Sequence, residues 1–135
     1  MRGVVAAGHQ LTAEAGAAVL REGGNAVDAA VAAVLASFAV ESPLTGFGAG
    51  GYMMVHEGGE QTATLIDFFV AAPGLDGIGR GADLVPVPVR FDAETVQTFN
   101  VGPASCGVPG TAAGLVAALE RYGSAPLSEL VAAGV

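Results

Sequence analysis

The 135-residue chain carries a formal net charge of −8, has no lysine, and draws its positive charge from five residues, Arg2, Arg21, Arg80, Arg90 and Arg121. Nucleic acid and anionic membrane surfaces select clustered cations that displace counterions, so neither is expected as a partner. Hydrophobic residues make up 52% and charged residues 13%, against about 25% charged in an average soluble domain, which excludes a disordered chain and leaves more apolar surface than charge to cover it.

At this length the chain is one domain at most, or part of a larger one. A single cysteine, Cys106, excludes a disulfide framework and a CxxC-type metal site. No charged n-region, apolar h-region and cleavage site precede the structured sequence, so a cytoplasmic chain is expected.

In chain order, Val4–Ala7 reads as a short apolar strand. Leu11, Ala15, Ala18 and Val19 recur at helical spacing, and Gly23-Gly24 stops that helix. Asn25 is a good N-cap, with Asp28 three residues on as a capping-box analogue. Residues 26–40 are apolar nearly all round, too short for a membrane span of ~20 residues, and predict a central core helix.

The glycine-rich bend 46–51 follows. Residues 52–56 and 61–70 predict paired strands joined by a two-residue turn at Gly58-Gly59. The Gly- and Pro-rich stretch 74–88 predicts a loop, and 94–101 a further strand. Pro109-Gly110-Thr111 opens a helix with Leu115, Val116 and Leu119 on its apolar face and Gly123 as its C′ stop, and 127–133 starts one more.

Gly46-x-Gly48-x-x-Gly51 matches a dinucleotide fingerprint as text, with Asp67 about 20 residues on. Those glycines follow a helix and open a strand, whereas phosphate binding needs the reverse order. Their bland role is to let the core helix and the strand approach closely. Ser105 lies in Gly102-Pro103-Ala104-Ser105-Cys106-Gly107, one residue off a nucleophile elbow. Cys106 reads as a small buried apolar residue. His9 and His56 are the only imidazoles and read as turn residues. Two histidines without a third spaced ligand give no metal site. No carboxylate pair stands out, so the residues alone give an α/β or α+β core without a complete catalytic constellation.

Five ordered blocks carry a resemblance. Glu14-Ala15-Gly16 with Leu20 to Ala32, Gly46 to Met53, Asp67-Phe68 with Ala72-Pro73, Gly107 to Leu115, and Glu120 to Gly123 with Pro126-Leu127 are together similar to the γ-glutamyltransferase (γ-glutamyltranspeptidase) family. The resemblance implies an α+β fold: part of the αββα sandwich of an N-terminal-nucleophile hydrolase, with core helices and an antiparallel hairpin. Residues 1–135 are then one partial domain, the N-terminal segment of the large subunit.

The resemblance further implies that a new N-terminal Thr, made by self-cleavage, attacks a γ-glutamyl or related amide. None of Thr12, Thr45, Thr62, Thr64, Thr95, Thr98 or Thr111 sits in such a cleavage context. The chain alone is therefore expected to be inactive, with no catalytic residue of its own. Its expected partners are the missing C-terminal part or small subunit and a small-molecule amide, with no cofactor and no metal. In the family an Arg after Asp-Phe holds the donor α-carboxylate. Here that substrate-binding position is Phe69, and the next is Val70. A phenyl ring cannot make the bidentate pair, so another acyl donor or another arginine is implied, Arg80 and Arg90 being nearest in sequence. The alternative is a non-catalytic small-anion-binding or structural subunit.

Overall fold

The computed structural model describes residues 3–59, 62–74 and 83–133. The chain forms two compact units, Met1–Phe69 with Pro109–Val135, and Val70–Val108.

In the first unit, α1 (Gln10–Arg21) starts at His9, whose Nδ1 accepts from the Leu11 N–H at 3.1 Å. It ends before Gly23, which takes a φ of 100°. The buried stripe is Thr12, Ala15, Gly16 and Val19. Leu11, expected inside, is exposed. The Thr12 hydroxyl donates to Glu41 Oε2 at 2.7 Å, and this rotates Thr12 rather than Leu11 toward the next helix.

Helix α2 (Ala26–Val40) matches the predicted core helix. Asn25 Oδ1 accepts from the N–H of Val27 (2.8 Å) and Asp28 (3.0 Å), and Asp28 Oδ2 accepts from the Asn25 N–H (2.8 Å). Val31 and Ala32 are fully buried, and Val19, Val27, Leu115, Ala118 and Leu130 complete the core around them. Each fully buried Val or Leu contributes about 1.5–3 kcal/mol.

Residues 4–7 are not a strand. A strand exists only through a ladder partner, and none is found for them among the described residues. Val5 instead packs over Gly16, and Gly3 against Leu20.

Strands β1 (Tyr52–Glu57) and β2 (Thr62–Asp67) pair antiparallel with Tyr52 opposite Asp67 and Glu57 opposite Thr62. The connection therefore spans residues 58–61, not two glycines, and neither Gly58 nor Gly59 takes the positive φ of the predicted turn. Alternation turns Met53, Val55 and Ile66 onto the helical core and leaves Tyr52, Met54 and Leu65 exposed.

Helix α3 (Thr111–Tyr122) buries Thr111, Gly114, Leu115 and Ala118, while Val116 is exposed. Gly123 ends it in an extended conformation, φ −73°, not the left-handed one. Helix α4 (Leu127–Ala133) adds Leu130 to the core.

In the second unit, β3 (Val85–Arg90) and β4 (Val96–Val101) form an antiparallel ribbon. The predicted loop thus ends at a strand containing Pro86 and Pro88. Phe91 donates its N–H to Thr95 O (3.0 Å), which sets the odd residues of β3 as donors to β4. Both prolines, lacking an N–H, fall on the free edge, where a ladder bond is not required. Asp92 closes the turn by accepting from the N–H of Glu94 (2.9 Å) and Thr95 (2.7 Å). Reciprocal bonds between Ala71 and Val108 close the unit's base.

Candidate functional site

The outer face of the β1–β2 hairpin is positioned by Phe68. Its N–H donates to Gly51 O at 3.0 Å, extending the ladder one residue past β2. Its ring lies against Gly114 on α3, and its carbonyl lies against Gly110, so closely that a Cβ at either glycine would overlap it. Phe68 thus points into the unit, and alternation sends Phe69 outward.

Phe69 is held by its own N–H, which donates to Asp67 Oδ1 at 3.0 Å. Its ring stacks on Tyr52, with centroids 5.4 Å apart and planes 7° from parallel. Both rings are more than half exposed, Phe69 at 57% and Tyr52 at 58%. Met54 and Leu65, a directly opposed pair, continue the same apolar face, and Asp67 lies opposite Tyr52.

No arginine of this unit's hairpin reaches the face, because β1 and β2 contain none. Arg121 lies 5.1 Å above the ring of Tyr122 at the end of α3. Arg90 Nη1 donates to Ala93 O at 3.0 Å, closing its own turn. Arg80 lies outside the described residues. The face can therefore stack a planar apolar group beside one carboxylate, and its own two strands carry no guanidinium for a carboxylate ligand.

The other sequence candidates are accounted for locally. Ser105 Oγ donates to Gly102 O (2.7 Å) and accepts from Gly102 N–H (3.3 Å), so its hydroxyl closes a 3₁₀ turn, Pro103–Ser105. Cys106 is exposed, not the buried apolar residue expected, because it follows that turn at the surface of a thin two-stranded unit. His9 caps α1 and His56 lies exposed on β1. Gly46 and Gly48 face open space, so close helix–strand approach does not explain them. Gly51 does have a neighbour, since a Cβ there would meet Phe68 Cε2 at 3.1 Å. Among the described residues no group of three His, Cys, Asp or Glu converges on a metal position, and no helix is long and apolar enough to cross a membrane.

The profile described as Gamma-glutamyltranspeptidase matches residues 12–135. The chain belongs to the gamma-glutamyltranspeptidase family. It is 38% identical to a glutathione hydrolase proenzyme of Bacillus subtilis (strain 168) over 96% of this chain and 21% of that protein. It is 34% identical to an acylase ACY 1 proenzyme of Pseudomonas sp. (strain V22) over 96% of this chain and 23% of that protein. The crystal structure of Helicobacter pylori gamma-glutamyltranspeptidase superposes with a TM-score of 0.74 at 32% identity, covering 98% of this chain and 36% of that one. The chain thus spans about one fifth of the length of the curated relatives it matches. Its helices and antiparallel strands are arranged as in solved gamma-glutamyltranspeptidases.

Within this gamma-glutamyltranspeptidase segment the signature residues are joints. Asn25 Nδ2 donates to Tyr122 O at 2.7 Å. The fully buried Asp28 carboxylate accepts from Ser124 N–H (2.9 Å), Ser124 Oγ and Ala125 N–H (3.3 Å), besides Asn25 N–H. Burial alone raises the Asp28 pKa. The Ser124 hydroxyl and the three backbone donors outweigh it and hold the carboxyl below its ordinary value. Sequence reading identified the Asn25–Asp28 box but missed Ser124. It also missed Tyr52, whose pairing with Phe69 follows only from the strand register.

Proposed function

We propose that these residues are the N-terminal segment of the large subunit of an amide-cleaving acyltransferase, one partial αββα sandwich domain that the rest of the polypeptide completes. The single observation that carries this reading is the family match over residues 12–135 by a chain spanning about one fifth of its relatives. A Thr exposed as a new N-terminus in the remainder would supply the nucleophile. Its own α-amine, with a pKa of about 7.7–8.0, takes the hydroxyl proton as oxygen attacks the amide carbonyl. The amine departs with that proton, and the acyl-enzyme passes to water or to an amine acceptor. Backbone N–H groups in the remainder would hold the oxyanion.

This chain's part is to build the wall on which the acyl group lies, with Phe69 at the substrate-binding position. No described hydroxyl is offered as nucleophile. Thr12 donates to Glu41, tying α1 to the end of α2, and Thr45 donates to Ser37 O (2.8 Å), folding the following turn back onto α2. The partner is a small-molecule amide, and no step calls for a cofactor.

The test is to express the complete gene product and to follow its conversion into two polypeptides and its release of nitroaniline from acyl anilides. Alanine at the new N-terminal Thr should abolish both. An uncleaved product that turns over anilides, or turnover by the 135-residue chain alone, contradicts the proposal.

A further inference from the structure

From the first unit we infer that residues 3–7 are an unpaired sheet edge, and that the strand added to them comes from the rest of the same polypeptide. This rests on the part of the reading above in which the rest of the polypeptide completes the domain, and it names the place where that strand docks.

Residues 3–7 have the geometry of a strand without its ladder. Gly3 faces Leu20 and Val5 faces Gly16, while Val4 between them is 95% exposed. That is strand alternation, and the spacing agrees. Leu20 and Gly16 lie one turn apart on α1, about 6 Å along its axis, and two residues of strand cover about 6.6 Å. Among the described residues, no backbone N–H or C=O of residues 3–7 meets another backbone group. Beside this edge lies a cleft of about 690 Å³ within the first unit, floored by Ala26, Ala30, Ala33 and Val34 of α2. Helix α2 is apolar nearly all round, the pattern of a helix covered on every side, and small alanines let a covering backbone come close. The walls identify the occupant. A small polar ligand needs convergent free hydrogen-bonding groups. The three hydroxyls on the wall are spent within the chain, Thr12 on Glu41, Ser37 on Val34 O (2.7 Å) and Thr45 on Ser37 O. What remains is a row of backbone groups, which a strand satisfies by adding to the edge. The chain covers 21% of its Bacillus subtilis relative, which assigns that strand to the rest of the polypeptide.

The experiment is hydrogen–deuterium exchange, read by mass spectrometry on peptides covering residues 3–9, in the complete gene product and in the 135-residue chain. The expected result is exchange slowed about 100-fold or more in the complete product, the behaviour of core strands rather than of loops. Ala30→Phe fills the cleft from its floor. It should keep the helical circular dichroism of the 135-residue chain and lose the slowed exchange in the complete product. Equally fast exchange in both wild-type proteins overturns the inference, and the acyl-transfer reading stands if the product still converts itself into two polypeptides. Slowed exchange unchanged by Ala30→Phe places the partner outside the cleft and overturns it too. Slowed exchange in the 135-residue chain that grows with its concentration assigns the edge to a second copy, which also overturns it. Slowed exchange in a product that neither converts itself nor releases nitroaniline keeps the inference and overturns the acyl-transfer reading.

Discussion

The Asp28 carboxylate at the start of α2 accepts hydrogen bonds from the backbone and hydroxyl of Ser124, 96 residues further along the chain. Asp28 also holds Asn25 N–H and Ala125 N–H. One buried anion therefore fastens the N-terminus of α2 to the turn between α3 and α4. Asp28→Asn keeps the volume but swaps an acceptor oxygen for a donor nitrogen, leaving buried donors unsatisfied. The expected loss is about 3 kcal/mol, read as a fall in the urea midpoint. An unchanged midpoint would show that the joint is dispensable.

The same group sets an acid sensitivity. Its hydrogen bonds depress the folded-state pKa below the ordinary 3.8. A depressed carboxyl contributes its full stability above the unfolded-state pKa and loses it as pH falls through the folded one. Stability should thus be flat in this contribution above about pH 5 and decline below about pH 4. Asp28→Asn should remove that part of the acid slope. Equal slopes for both proteins between these pH values and pH 2 would place the acid sensitivity elsewhere.

Gly114 lies mid-helix, where alanine ordinarily stabilises by about 1 kcal/mol. Here a Cβ would overlap the Phe68 ring. Gly114→Ala should instead destabilise by about 1–3 kcal/mol, the usual scale of overpacking. The defect should shrink in Gly114→Ala/Phe68→Ala relative to Phe68→Ala alone, since the clash is then gone. Gly48→Ala, facing open space, is the control and should be near neutral. Additive effects in the Gly114–Phe68 cycle would mean that the two do not meet.

The parts legible in the sequence are those fixed by neighbours a few residues away. Helix α2 is written in its apolar run and its Asn25–Asp28 box, and β1 and β2 in the two short runs on either side of Gly58-Gly59. What the sequence left open depends on distant partners. The outward turn of Leu11 follows from Thr12 reaching Glu41, 29 residues on. Strand β3 was hidden by Pro86 and Pro88, which read as loop until one free edge takes both. The Tyr52–Phe69 stack needs the register that pairs Tyr52 with Asp67, and the connection at 58–61 is not the turn its glycines suggest. The family blocks were visible as text, but that Asn25 and Asp28 act as joints emerged only when Tyr122 and Ser124 were placed beside them.

The β3–β4 ribbon makes the last prediction. Val85, Val87, Phe91, Phe99 and Val101 are all exposed on one face, and an exposed apolar strand edge invites pairing with another chain. The two edges differ. Pro86 and Pro88 close the free edge of β3. On β4, the pairing places Val96, Thr98 and Asn100 outward and Gln97, Phe99 and Val101 toward β3. Association of the isolated chain should therefore run through β4. Thr98→Pro removes an outward N–H and should lower concentration-dependent association in sedimentation, with the strand signal in circular dichroism kept. Phe99→Pro removes an inward N–H and should erase that signal. Association undiminished by Thr98→Pro, in a protein whose ribbon is intact, would assign the contact to another surface.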